Sequence, residues 1–190
     1  MVAEAAPGIL AGIRVLDLSR MLSGPYCTMM LADHGAEVIK VESPEGDTSR
    51  SNGPWRADDA VRDWAGYFVS LNRGKKSIVL DLKNDEDKAR LRDLARTAHV
   101  LVENFRPGVM ERLGLGPDAC LAKNPKLVYG RITGWGQDGP YAQAAGHDIN
   151  YLALTGALSA IGPRDGRPTP PLNLVADFGG GGMLLIAGVL

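Results

Sequence analysis

Two short apolar runs separated by one helix length constrain this chain more than any other feature. Ile13-Arg14-Val15-Leu16-Asp17-Leu18 has the length and composition of a buried strand, and Glu37-Val38-Ile39-Lys40-Val41-Glu42 has them again. Between them Ser23-Gly24-Pro25 opens a helix with Pro in its first turn. Met29, Met30 and Leu31 carry that helix, and His34-Gly35 closes it with a residue suited to a left-handed cap. Strand, helix and strand within about 30 residues make a βαβ unit, and its two strands must run parallel.

The pattern repeats. Ser77 to Leu82 reads as a strand, Asp85 to Thr97 as a charged amphipathic helix, and His99 to Asn104 as the next strand. A short helix near Pro117 to Lys123 precedes a further strand from Lys126 to Ile132. This alternation predicts an α/β fold with a Rossmann-like, doubly wound parallel sheet. The polar stretch Ser43 to Trp64 is long for a connection, which marks it as mobile or functional.

Charge limits the partners. Lys and Arg number 21 against 22 Asp and Glu, a net charge of −1, so no general basic field draws in nucleic acid. Any anionic ligand must be met by local groups. Cys27 and Cys120 lie far apart without metal-ligand spacing, which favours two buried thiols over a disulfide. Met1 to Pro7 lack the pattern of a secretory leader, and Met183 to Leu190 is too short an apolar run to span a bilayer. A cytoplasmic protein is expected. The apolar run ends at Leu190 without a capping or charged turn, as expected for the front part of a longer chain.

Several segments have both a structural and a chemical reading. Leu22-Ser23-Gly24-Pro25 follows the first strand where open α/β sheets bind ligands, but it lacks the GxGxxG dinucleotide fingerprint. Asn72-Arg73-Gly74-Lys75-Lys76 is either a solvated loop or a phosphate clamp. Asn104-Phe105-Arg106-Pro107-Gly108 follows a strand, with Arg112 one short turn later, so Arg106 and Arg112 either flank an anion or cover a helix start. Trp135, in the loop Gly134 to Pro140, either stacks on a base or packs on the sheet. His34 suits a helix end, and His99 begins a strand. His147 and Asp177 each sit in a glycine-flanked turn ahead of a predicted helix. Either residue alone could be a helix cap or a loop residue.

Their surroundings add more. Gly146-His147-Asp148-Ile149-Asn150-Tyr151 followed by Pro171-Leu172-Asn173-Leu174-Val175-Ala176-Asp177-Phe178-Gly179-Gly180-Gly181 resembles the family III CoA-transferase (CaiB/BaiF) superfamily, with wording nearest to α-methylacyl-CoA racemases. The resemblance covers nearly all of the chain. It includes Gly12 to Leu18, Gly35 to Glu42, Leu71 to Lys83 and Val102 to Gly108. It implies that residues 1–190 form the N-terminal Rossmann-like part of a large domain, without the small domain, and that the full-length protein is an interlocked homodimer. It further implies a CoA site lined by Leu80, Asp81, Leu82, Lys83, Asn104, Phe105 and Arg106, with Arg112 near the phosphates. Gly146, Asp148, Ile149, Asn150 and Tyr151 would lie at the thioester. Ser43 stands where such proteins often carry an Arg for the CoA phosphate, so that contact passes to another group such as Lys75 or Lys76. Tyr67 to Asn72 and the long Ser43 to Trp64 connection are worded more like the transferases.

The resemblance implies an acyl-CoA thioester as substrate, no metal, no separate cofactor and no membrane. In a racemase His147 and Asp177 exchange the α-proton through an enolate. In a transferase Asp177 is the nucleophile. A plain CoA-binding module would need neither.

Overall fold

The computed structural model describes residues 8–190. The reading of Met1 to Pro7 falls outside the described residues. Five strands, β1 (Arg14–Asp17), β2 (Glu37–Glu42), β3 (Lys76–Val79), β4 (Val100–Glu103) and β5 (Val128–Arg131), form one parallel sheet in the order β3-β2-β1-β4-β5. The helices are α1 (Ser23–Asp33), α2 (Gly66–Asn72), α3 (Asp85–Thr97), α4 (Val109–Arg112), α5 (Pro117–Leu121), α6 (Asp148–Leu154) and α7 (Leu184–Val189).

Side-chain parity along the strands explains why the sheet is covered twice. Leu16, Leu101 and Val41 pack with Leu91 and Ala95 of α3, Met110 of α4 and Cys120 of α5. Val15, Val38, Val100 and Val102 face the other way, onto Cys27 and Leu31 of α1 and onto Leu185, Ile186 and Val189 of α7. Successive strand residues thus feed opposite cores. Both cysteines are buried and free, as the spacing implied. Among the described residues no helix is long and apolar enough to cross a membrane.

Local chemistry sets the boundaries. Helix α3 spans the residues that its pattern predicts, because Asn84 caps Glu86 N–H at 2.8 Å and three acids occupy its first turn. Strand β3 stops at Val79, short of the expected Leu82. Asp81 N–H turns to the Asp87 carboxylate at 2.9 Å, and Asp81 in turn accepts Lys83 N–H. Helices α2 and α4, too short to show a period, are not evident in the sequence.

The connection after β2 is pinned rather than loose. Lys40, 1% exposed, pairs with Asp47 at 2.8 Å and donates to the Ser19 carbonyl at 2.9 Å. Arg50 grips both Glu42 oxygens at 2.7 and 2.8 Å and lies 3.8 Å over the Phe68 ring. Burial would push Glu42 up, yet hydrogen bonds from Arg50, Ser77 and the Asp47 N–H bring it down to about 2. Folded Glu42 therefore binds its proton more weakly than unfolded Glu42. The resulting stabilisation is complete above the ordinary carboxylate range near 4.5 and disappears as pH falls from there towards 2. Thermal melts of the protein should lose stability steeply between pH 4.5 and 2, and Glu42→Gln should be less stable at pH 7 with a flatter acid slope. Parallel slopes for the two proteins would show that Glu42 is not the titrating group.

Within the cationic loop before β3, Lys75 is not free to hold a phosphate. Lys75 is buried, and its Nζ has three acceptors at 2.9 Å: Asp17, the Pro25 carbonyl and Asn72 Oδ1. An ammonium has three N–H donors, so none remains for a ligand. Burial opposes the charge on Asp17, but Lys75 and Lys40 outweigh it and hold that carboxyl at about 2. Lys76 pairs with Glu37 at 2.7 Å, and Arg73 pairs with Asp33.

Candidate active site

Strand order reverses between β1 and β4, the position at which open parallel sheets bind ligands. A cleft of about 500 Å³ opens there, walled by the segments that leave β1 (Arg20 to Ser23), β4 (Asn104 to Pro107) and β5 (Ile132 to Trp135). Asn104 ties the first two segments together, accepting Arg20 N–H at 2.9 Å and donating to the Arg20 carbonyl at 2.8 Å. The Arg20 guanidinium lies 5.5 Å over Phe105. Glu103, buried at the end of β4, accepts the Phe105 N–H at 2.7 Å and fixes how that loop leaves the sheet. Two cations, Arg20 and Arg106, stand on this wall.

Across the cleft, Trp135 packs edge-on against Tyr151 at 4.8 Å and lies tilted against Tyr141 at 5.3 Å. Gly146 makes that packing possible. A Cβ there would lie 2.7 Å from the Tyr151 ring and 2.9 Å from Trp135 Nε1, and both side chains are held by their neighbours. Gly146→Ala should therefore cost about 1–3 kcal/mol and disturb Trp135. Denaturant melts followed by tryptophan fluorescence would check this, and an unchanged midpoint would contradict it.

His147 caps α6, with Asn150 Oδ1 accepting its N–H at 2.9 Å. Asp177 is not the cap of the last helix, as its turn-like sequence suggested. It lies within a π-helical segment, Leu174–Met183, that runs into α7. That wider coil packs on α1, where Phe178 meets Tyr26 edge-on at 4.8 Å. The glycine run explains the close approach: a Cβ on Gly182 would lie 2.5 Å from the Tyr26 ring. Segments of this kind are frequent at functional sites.

Helix α6 and the π-helical segment bring His147 and Asp177 to one place. Both line the large cleft, and both line a second recess of about 280 Å³ formed by Met21, Leu22, Tyr67, Asp148, Ile149, Leu172 and Asn173. Partial burial pushes Asp177 above the usual carboxylate range, and the nearby Asp148 carboxylate adds to this. His147 and the Asp148 backbone N–H oppose it. Met21 and Leu172 hold left-handed backbone, at φ 69° and 58°, without being glycine. Such conformations cost of order 1–3 kcal/mol each and cluster at functional sites.

The predicted site residues divide clearly. Asn104, Phe105, Arg106, Gly146, His147, Tyr151 and Asp177 line the large cleft, and Asp148 and Ile149 line the recess. Asn150 acts through its bond to His147 N–H. Leu80, Asp81, Leu82, Lys83 and Arg112 border neither cavity: Leu80 and Leu82 belong to the core beneath β3, and Arg112 folds back under Gly108. Sequence reasoning missed Arg20, Met21 and Tyr67. Position alone could have flagged Arg20 and Met21, since they directly follow the first strand. Among the described residues no group of three or more His, Cys, Asp or Glu is placed to hold a metal ion.

Known proteins share this fold and much of this sequence. The family model described as CoA-transferase family III matches residues 10–190. The α-methylacyl-CoA racemase of Mus musculus is 46% identical over 182 residues, covering 96% of this chain and 43% of that protein. The succinate–glutarate CoA-transferase of Agrobacterium fabrum is 46% identical over 172 residues, covering 89% and 43%. A solved CaiB/BaiF family protein from Brucella suis superposes with a TM-score of 0.89 at 38% identity, over 96% of this chain and 48% of that one. The chain spans less than half the length of each of these relatives. Fold, cleft position and a family match from residue 10 to the last residue agree, and the chain belongs to the CoA-transferase family III.

Proposed function

We propose that this chain carries the CoA-binding and catalytic groups of an α-methylacyl-CoA racemase. The observation that carries this reading is the placement of His147 and Asp177 on the wall shared by a cation-bearing cleft and a smaller recess. The CoA part of the substrate occupies the cleft, its phosphates facing Arg20 and Arg106. The acyl group enters the recess, where Met21, Leu22, Ile149 and Leu172 offer an apolar surface suited to a branched chain. CoA enters as part of the substrate, and the chemistry requires neither a metal nor a separate cofactor.

The α-carbon then lies between the two side chains. Neutral His147 removes the α-proton and leaves an enolate, and protonated Asp177 delivers its own proton to the opposite face. For the other enantiomer the roles reverse. An imidazole suits this work because its ordinary pKa of about 6.5 lets it take or give a proton near neutrality. The upward push on Asp177 helps in the same way, since an ordinary carboxylate is a weak base and is seldom protonated near pH 7.

The equal identity to the Agrobacterium fabrum transferase supports a second reading. There Asp177 attacks the thioester carbonyl and expels CoA thiolate, giving a mixed anhydride. The thiolate then attacks the aspartyl carbonyl, releases the first acid and leaves an aspartyl-CoA thioester for a second carboxylate. The test is deuterium wash-in at the α-carbon of a 2-methylacyl-CoA, with the protein carrying the rest of the family-length chain. Exchange is expected. Transfer of CoA to a free acid without exchange would overturn the racemase reading.

A further inference from the structure

Asp148 is the carboxylate of the site that neither chemistry uses. It is the first residue of α6 and is 3% exposed, so it offers little surface to a ligand. Its Oδ2 instead accepts two backbone N–H groups from another part of the chain, Ala176 at 2.6 Å and Asp177 at 2.9 Å. Those amides lie in the first turn of the π-helical segment, where donors have no acceptor within their own helix. Asp148 is therefore joined to His147 by a peptide bond and to Asp177 by a hydrogen bond.

We propose that Asp148 is a positioning residue, a carboxylate clamp that holds the backbone of Asp177 in fixed register with His147. The clamp closes a gap of 28 and 29 residues with one side chain. Without it, the amides of the π-helical turn would have to find water or another acceptor, and the turn could shift relative to α6. A displacement of about 1 Å in a reacting group can cost about 100-fold in rate. Asp148 Oδ1 is buried without a donor among the described residues. Partial burial and the neighbouring Asp148 carboxylate both push the Asp177 carboxyl up.

The proposal rests on Asp177 being a reacting group, but it holds for proton exchange and for CoA transfer alike. The test compares Asp148→Ala with Asp148→Asn, which keeps one acceptor oxygen, in whichever turnover the protein shows. The Ala variant should lose about 10- to 100-fold in kcat with KM within about threefold, and the Asn variant should recover most of that loss. A kcat within threefold of the parent in the Ala variant, kcat and KM falling together, or Asn no better than Ala would each overturn the clamp. Native-state hydrogen exchange on the 190-residue chain needs no variant: the Ala176 and Asp177 amides should be protected. Rapid exchange there would overturn the clamp even if both variants misfold. If Asp177→Asn turns over normally while those amides stay protected, the assignment of Asp177 fails and the clamp survives.

Discussion

Asp177→Asn should reduce turnover by about 10³-fold or more, because it removes a group that each scheme places at the reacting carbon. The side chain changes little in size. The amide holding Asp177 in place is its backbone N–H, bonded to Asp148, so the fold of the π-helical segment should survive. CoA affinity should also survive, since the cations of the cleft, Arg20 and Arg106, lie on the wall formed by the loops after β1 and β4. The expected pattern is therefore loss of kcat with Kd for CoA within about threefold, read by calorimetry and by product formation. A variant that binds CoA and still turns over within tenfold of the parent would remove Asp177 from the chemistry.

His147→Gln separates the two schemes. In the racemase the imidazole takes or gives a proton on one face of the α-carbon, and losing a general base costs about 10²–10⁴-fold. In the transferase no step needs it as a base, and CoA transfer should stay within about tenfold. Glutamine retains polarity, and the cap of α6 relies on the His147 backbone N–H, which bonds Asn150 whatever the side chain. A selective loss of α-deuterium exchange is expected. Equal rates for variant and parent would show that some other group removes the α-proton.

Much of the scaffold could be read in the sequence, for identifiable reasons. The β1–α1–β2 unit is marked by local signals: two apolar runs, a Pro in the first helical turn and a Gly after the last. Helix α3 is equally plain because its Asn cap, acidic first turn and amphipathic repeat agree. What could not be read depends on partners distant in sequence. Lys75 looks like a solvated cation until Asp17, 58 residues away, is seen to bury it. The π-helical turn around Asp177 has no distinctive period, and it forms where Gly181 and Gly182 let the chain press against Ser23 and Tyr26.

The site shows the same division. His147 and Asp177 each look like a helix cap in isolation, and one of them is a cap. They become a pair because Asp148 reaches across to the Asp177 amide and because Met21 and Leu22, in the loop between β1 and α1, supply the floor shared by both cavities. The resemblance to a known family located the pair. The geometry adds that Leu80 to Lys83 and Arg112 stand apart from both cavities, and that Arg20 takes a place in the cleft that the sequence had not assigned.

The most direct measurement is a crystal structure with a 2-methylacyl-CoA bound to the family-length protein carrying this chain. The racemase assignment predicts CoA in the cleft beside Arg20 and Arg106, the branched acyl group against Met21 and Leu172, and the α-carbon between the His147 imidazole and the Asp177 carboxylate. A thioester carbonyl carbon in line with Asp177, with the α-carbon turned away from His147, would contradict it and favour the transferase.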